Sequence, residues 1–269
     1  MNYCVMEQFP MARTGPLYGV PAKDKIALFA KTKELGFDGI EFGLTHDYAQ
    51  DPFWKGDTDL YQAMRKAAEE TGLKALSLCL HVLNDDDYSP ASVNEAHRAT
   101  ARELVRKAME ACRETGVSTI LVPFFGTARL TTPEQIDNLV KEVRDFAATA
   151  RSYGITLGLE TSLDAPANMD VLDRIGSDSV GIYFDVANTQ GIGYDVEKEI
   201  LETGSRIVQV HIKEHPENPV LGKGEVDFRK VSESLHKVGF DGSLVFEVPT
   251  TDDTVMKANL AFMKGMIEA

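Results

Sequence analysis

The sequence predicts an α/β protein of the eight-stranded (β/α)8, or TIM, barrel class, and three observations carry the prediction. The chain has 269 residues, a length at which such barrels run as one domain. A charged, helical stretch that closes on glycine and leads into a short apolar run recurs along it. Those runs are nearly continuous rather than alternating, as in parallel strands covered on both faces.

The repeat reads LGFDGIEF (35–42), TGLKALSLC (71–79), TGVSTILV (115–122), YGITLGLE (153–160), TGSRIVQVH (203–211) and VGFDGSLVFE (238–247). Glycine just past a helix end adopts positive φ without steric cost. With the remaining apolar runs, strands are expected near 3–7, 38–43, 74–80, 118–123, 155–160, 180–184, 207–212 and 243–247. Successive strands lie roughly one βα unit apart. The helices between them carry start signals. Thr132-Pro133-Glu134-Gln135 has an N-cap threonine, proline at the first helical position and a capping-box glutamine. Ser92 to Glu95 shares the capping-box spacing, and Asp24, Asp195 and Asp227 are expected N-caps. Segments 26–35 and 99–112 have the apolar spacing of amphipathic helices. A doubly wound open sheet is the alternative, but no GxGxxG follows a strand. No linker or composition break interrupts residues 1–269, which are expected to form a single catalytic domain. The acidic loop Asn84 to Pro90 reads as a solvated connection.

Composition narrows the function. Hydrophobic residues make up 43% and charged residues 26%, as in ordinary globular proteins. The formal net charge of −14 repels a phosphate backbone and argues against nucleic acid. Cys4, Cys79 and Cys112 are too few for a disulfide framework and form no CxxC; Cys79 and Cys112 read as buried thiols, which fits a reducing compartment. No signal-peptide pattern opens the chain, and no run approaches the roughly 18 to 20 apolar residues of a membrane span. A cytoplasmic protein without membrane partners is expected.

The chemistry lies at strand ends. TLGLE ends in Glu160, VGIYFD in Asp185, IVQVH in His211 and SLVFE in Glu247. In a barrel these four residues come from successive strands and converge on the C-terminal rim. One acid after an apolar run is usually a helix cap, and a lone histidine is usually structural. Four at the same place in four consecutive units point instead to a mononuclear metal site. Three oxygen donors and one imidazole suit Mn²⁺, with Mg²⁺, Co²⁺ or Zn²⁺ as alternatives.

Taken together, GLE160T, YFD185VAN, QVH211IKE, GKGEVDF (222–228) and LVFE247V resemble the sugar isomerase/epimerase superfamily with the xylose-isomerase-like TIM barrel. The resemblance spans nearly the whole chain. It implies a sugar or sugar-phosphate isomerase or epimerase with one divalent metal on Glu160, Asp185, His211 and Glu247, a small carbohydrate as its partner, and a homodimer or homotetramer. It also admits a dehydratase acting on a keto-polyol, or a non-catalytic ligand-binding barrel. The free-ketose 3-epimerases of that group carry histidine where this chain has Asn188, and arginine after the seventh-strand histidine where it has Lys213 and His215. By resemblance, that pattern is closer to the sugar-phosphate 3-epimerases, with Asn188 touching substrate or supporting a ligand.

Moving a proton at carbon 3 of a ketose needs a base on one face and an acid on the other. Glu160 and Glu247 are the candidate pair. His211 then needs an acceptor for its other nitrogen, either Glu214 or a backbone carbonyl. His81 at the end of strand three would hydrogen-bond substrate or serve structurally. Glu41 would touch substrate or a buried partner. Lys213 and Lys223, with Gly222 and Gly224, would bind substrate or its phosphate, unless that loop is a plain turn. Tyr48, Phe53, Trp54, Phe124 and Phe125 would form an apolar wall at the mouth or an oligomer contact. His46, His97 and His236 are expected on the surface.

Overall fold

The computed structural model describes residues 1–7, 24–249 and 252–268. Its elements follow one another as β1 (Asn2–Met6), α1 (Lys25–Leu35), β2 (Gly39–Gly43), α2 (Pro52–Lys55), α3 (Thr58–Thr71), β3 (Lys74–Cys79), α4 (Glu95–Thr115), β4 (Thr119–Phe124) and α5 (Pro133–Tyr153). They continue as β5 (Thr156–Thr161), α6 (Ala165–Ile175), β6 (Val180–Asp185), α7 (Val186–Ile192), α8 (Val196–Thr203), β7 (Ile207–Ile212), α9 (Phe228–Lys237), β8 (Ser243–Phe246) and α10 (Asp253–Ile267). The strands form a closed barrel in sequence order. Parallel pairing of β1 with β8 closes it, with Asn2 opposite Ser243. All eight strands fall where the sequence places them.

Local chemistry sets the helix ends. Thr132 forms the expected capping box with Gln135. Asp24, Asp195 and Asp227 each accept a first-turn N–H. Helices α4 and α5 stop on Gly116 and Gly154, at φ of 82° and 70°. The expected cap at Ser92 is corrected. Asn94 caps α4 by accepting from Ala96 N, while Ser92 Oγ donates to Asp86 at 2.8 Å. Nor is the loop from Asn84 merely solvated. It forms short 3-10 turns at His81–Asn84 and Asp86–Tyr88, and Asn84 Oδ1 accepts from Phe125 N at 2.9 Å.

Two apolar cores result, because alternate strand residues face opposite ways. The larger lies between strands and helices and includes Val5, Ile40, Phe42, Ile120 and Leu244. The smaller fills the barrel with Cys4, Met6, Leu76, Cys79, Leu121, Tyr183 and Val245. All three cysteines are buried and free. Phe53 joins the outer core rather than the mouth, stacked 6.1 Å from Phe42. Trp54 packs against Tyr48 and under the Lys107 ammonium. Phe124 is fully buried, so only Phe125 of the proposed wall reaches the mouth.

Candidate metal centre and sugar pocket

Glu160 lies on β5, Asp185 ends β6, His211 lies on β7 and Glu247 directly follows β8. All four are buried. The β6–β7 register sets Asp185 opposite His211. One donor atom each from Glu160, Asp185 and His211 lie within 4.8 Å of one another. His211 Nδ1 is 3.2 Å from Glu247 Oε2 and 3.6 Å from Asp185 Oδ2. Lys213 Nζ sits between two of the carboxylates, 2.8 Å from Asp185 Oδ2 and 2.7 Å from Glu247 Oε2.

Three of these side chains are held through one polar atom each. Asp185 Oδ1 accepts from Asn188 N at 2.7 Å, because Asp185 also caps α7. Asn188 Nδ2 donates to Glu160 Oε1 at 2.7 Å. His211 Nε2 lies 2.7 Å from Glu41 Oε1. That carboxylate can only accept, so the Nε2 proton is placed there and Nδ1 turns toward the acids. Asp185 Oδ2 and His211 Nδ1 are buried without a hydrogen-bond partner, since Lys213 contacts Asp185 as an ion pair without aligned hydrogen-bond geometry.

The charges confirm that these groups feel one another. Burial, then the Asp185 charge, pushes the Glu160 carboxyl up to about 8. Burial also acts to raise Asp185, but Lys213 and His211 outweigh it and hold that carboxyl below the usual range. Burial alone would lower His211, yet Glu247 and Glu41 raise it well above an ordinary imidazole. Without a metal, the acids are thus balanced by Lys213 and a His211 drawn toward its charged form.

The donor set fits a divalent cation. Three carboxylates and one imidazole converge, orphaned buried atoms face the same point, and positive charge already collects there. Glu160, Asp185, His211 and Glu247 would hold the ion, with Glu41 as the outer partner that fixes the histidine.

Other candidates are sorted by position. A cavity of about 380 Å³ opens above the cluster, lined among others by His81, Asn84, Phe125, Asn188, Lys213 and Glu217. His81 Nδ1 is 3.3 Å from Cys79 Sγ, and burial pulls its imidazole down to about 4. Glu41 is corrected as a substrate contact: it is fully buried beneath His211, where it accepts from Ser77 Oγ and Tyr183 OH, both at 2.6 Å. Glu214 is corrected as the His211 partner. It accepts from the backbone N–H of Gly222 and Lys223. The Lys223 side chain is exposed and does not line the cavity. His46 is exposed, while His97 is paired with Asp86 and Asp87.

Sequence reasoning missed the polar ring of Ser77, Tyr183 and Gln209 below the site. Gln209 Nε2 donates to Ser77 Oγ at 2.8 Å and to Tyr183 OH at 2.6 Å. A signal existed: Tyr183 and Gln209 stand two residues before Asp185 and His211, so they share their inward face.

The chain belongs to the xylose isomerase-like TIM barrel family, whose model matches residues 29–266. Among curated relatives, the L-ribulose-5-phosphate 3-epimerase UlaE of Escherichia coli (strain K12) is 27% identical, covering 88% of this chain and 90% of that protein. Solved structures share the fold. An L-ribulose 3-epimerase aligns with a TM-score of 0.82 at 22% identity, covering 99% of this chain and 94% of that one. The D-psicose 3-epimerase of Clostridium cellulolyticum H10, solved with D-tagatose, aligns over the full length of both chains with a TM-score of 0.82 at 17% identity. No helix among the described residues is long and apolar enough to cross a membrane.

Proposed function

We propose that this chain is a divalent-metal-dependent epimerase of a sugar or sugar phosphate, of the ketose 3-epimerase type. The observation that carries the reading is the arrangement at the mouth: Glu160 from β5 and Glu247 after β8 flank Asp185 and His211 beneath an open cavity. Relatives named for 3-epimerisation support it. Mn²⁺ is the ion assigned to this oxygen-rich set with one imidazole, with Mg²⁺, Co²⁺ or Zn²⁺ as alternatives. Buried free thiols fit a reducing, cytoplasmic setting.

A divalent cation at the cluster would supply positive charge to the carbonyl oxygen of a bound ketose. The two glutamates divide the proton work. One takes the proton from carbon 3, and the electron pair moves onto the carbonyl oxygen as an enediolate. The other returns a proton to carbon 3 from the opposite face, inverting it. Their places on β5 and directly after β8, at the two ends of the run of four strands, support this division. Asn188 keeps Glu160 aimed by holding one of its oxygens. Lys213 adds a cation that a substrate oxygen can approach, and His81 offers a neutral ring at the cavity wall.

The test is NMR in D₂O with Mn²⁺ or with chelator, across ketoses, ketose phosphates and keto-inositols. Metal-dependent deuterium at carbon 3 with a new epimer is expected. Loss of water from the product would convert the reading to a dehydratase, and no exchange with any sugar would overturn it.

A further inference from the structure

We propose that the substrate is an uncharged polyhydroxy ketose rather than its phosphate ester, because the backbone cradle that would receive a phosphate is filled by Glu214. This inference rests on the epimerase reading and sharpens it. In (β/α)8 barrels a phosphate is often held by backbone N–H groups of the loops after strands seven and eight. Here the loop after β7 has that backbone. Its Gly222 and Lys223 N–H groups both donate to Glu214 Oε1, the latter at 3.1 Å. Gly224 is spent on the same carboxylate, since a Cβ there would stand 2.2 Å from Glu214 Oε2. The short glycine loop thus closes around an internal anion. An ester phosphate reaching it would meet a like charge instead of free donors.

Among the described residues, one cation lines the cavity, Lys213, and two carboxylates, Asp185 and Glu247, already share it. Lys223 is exposed and outside the cavity wall. Arg129, on the loop after β4, donates Nε to Ser162 Oγ at 3.0 Å and also lies outside the wall. Beyond the metal cluster and Lys213, the described part of the cavity wall includes Asn84, Phe125, His215, Glu217 and Pro249. An amide, an imidazole and a carboxylate match hydroxyl groups, and an aromatic face matches the CH face of a sugar. Glu217 can only accept, which suits a hydroxyl donor and opposes a phosphate. The relative named for a phosphate ester is 27% identical, and rim loops vary most between relatives.

The Mn²⁺ enzyme is tested on a matched pair, L-ribulose and L-ribulose 5-phosphate, with kcat/KM read from epimer formation and affinity from calorimetry. The free ketose is expected to be favoured at least tenfold in both. Equal or better use of the ester would overturn the proposal. If neither sugar is turned over, the epimerase reading fails for this pair and affinity alone decides: tighter ketose binding upholds the proposal, and tighter ester binding overturns it. If neither is bound, both fall. Glu217→Lys should shift the kcat/KM ratio toward the ester at least fivefold, and an unmoved ratio would overturn the placement of the sugar tail.

Discussion

Below the mouth of the barrel, Glu41, Ser77, Tyr183 and Gln209 form a closed ring of hydrogen bonds, each between 2.6 and 2.8 Å. At the mouth, Glu160, Asp185, His211 and Glu247 are also buried, yet Asp185 Oδ2 and His211 Nδ1 find no hydrogen-bond partner. The two clusters share β6 and β7, which carry Tyr183 and Gln209 in the lower one and Asp185 and His211 in the upper. The lower one satisfies every donor and acceptor that holds it, which is how a polar group survives burial. The upper one crowds like charges and leaves atoms unmet, which costs stability and is retained where a ligand completes the set. His211 belongs to both, through its bond to Glu41 at 2.7 Å.

The sharpest break in this comparison is at the upper cluster. Glu160→Gln and Glu247→Gln should each lower kcat by about 10²- to 10⁴-fold, the usual worth of a positioned acid or base. Glu160→Gln should not lower the melting temperature, because removing a crowded buried charge relieves repulsion, whereas Glu247→Gln takes a partner from Lys213 and should lower it. A Glu247→Gln enzyme with full turnover would sink the acid/base assignment. Next in size is the link between clusters. Glu41→Gln should weaken Mn²⁺ binding about 10- to 100-fold by calorimetry, since it loosens the histidine rather than removing a ligand. Unchanged affinity would reduce Glu41 to a core residue. Tyr183→Phe tests the lower ring. It leaves an acceptor of Glu41 and a donor of Gln209 unmet and should cost about 1–3 kcal/mol in denaturant titrations, with little change in kcat. A large loss of kcat without loss of stability would reverse the roles of the two layers.

The barrel and the four strand-end residues were legible because both follow from short-range pattern. Glycine after a helix, then a continuous apolar run, marks each βα unit, and the residue ending the run must reach the rim. The partners were not legible, because they are set by contacts across the barrel. Glu41 meets His211 across 170 positions and Tyr183 across 142, and no spacing rule joins them. Glu214 lies three residues beyond His211 and looked like its natural support. The chain turns after β7, however, and Glu214 is captured by the N–H groups of Gly222 and Lys223. Ser92 fails for a related reason: its hydroxyl is drawn to Asp86, and Asn94 takes the helix end.

The smallest expected effect concerns His81, which sits at the boundary between the two layers. Burial lowers its imidazole from 6.5 to about 4, so the folded protein holds it neutral. A group whose folded value lies below its unfolded value favours the native state above the unfolded value. That stability is lost as pH falls through 6.5 toward 4, because the unfolded chain takes up the proton first. Between pH 7 and 5.5 the loss from this one ring is about 1 kcal/mol. His81→Asn removes the titration and should flatten the stability profile over that window by the same amount, read as the difference between the two proteins in urea titrations at each pH. Parallel profiles would mean that His81 is hydrated and charges freely in the native state, which would place it in the cavity rather than in the wall.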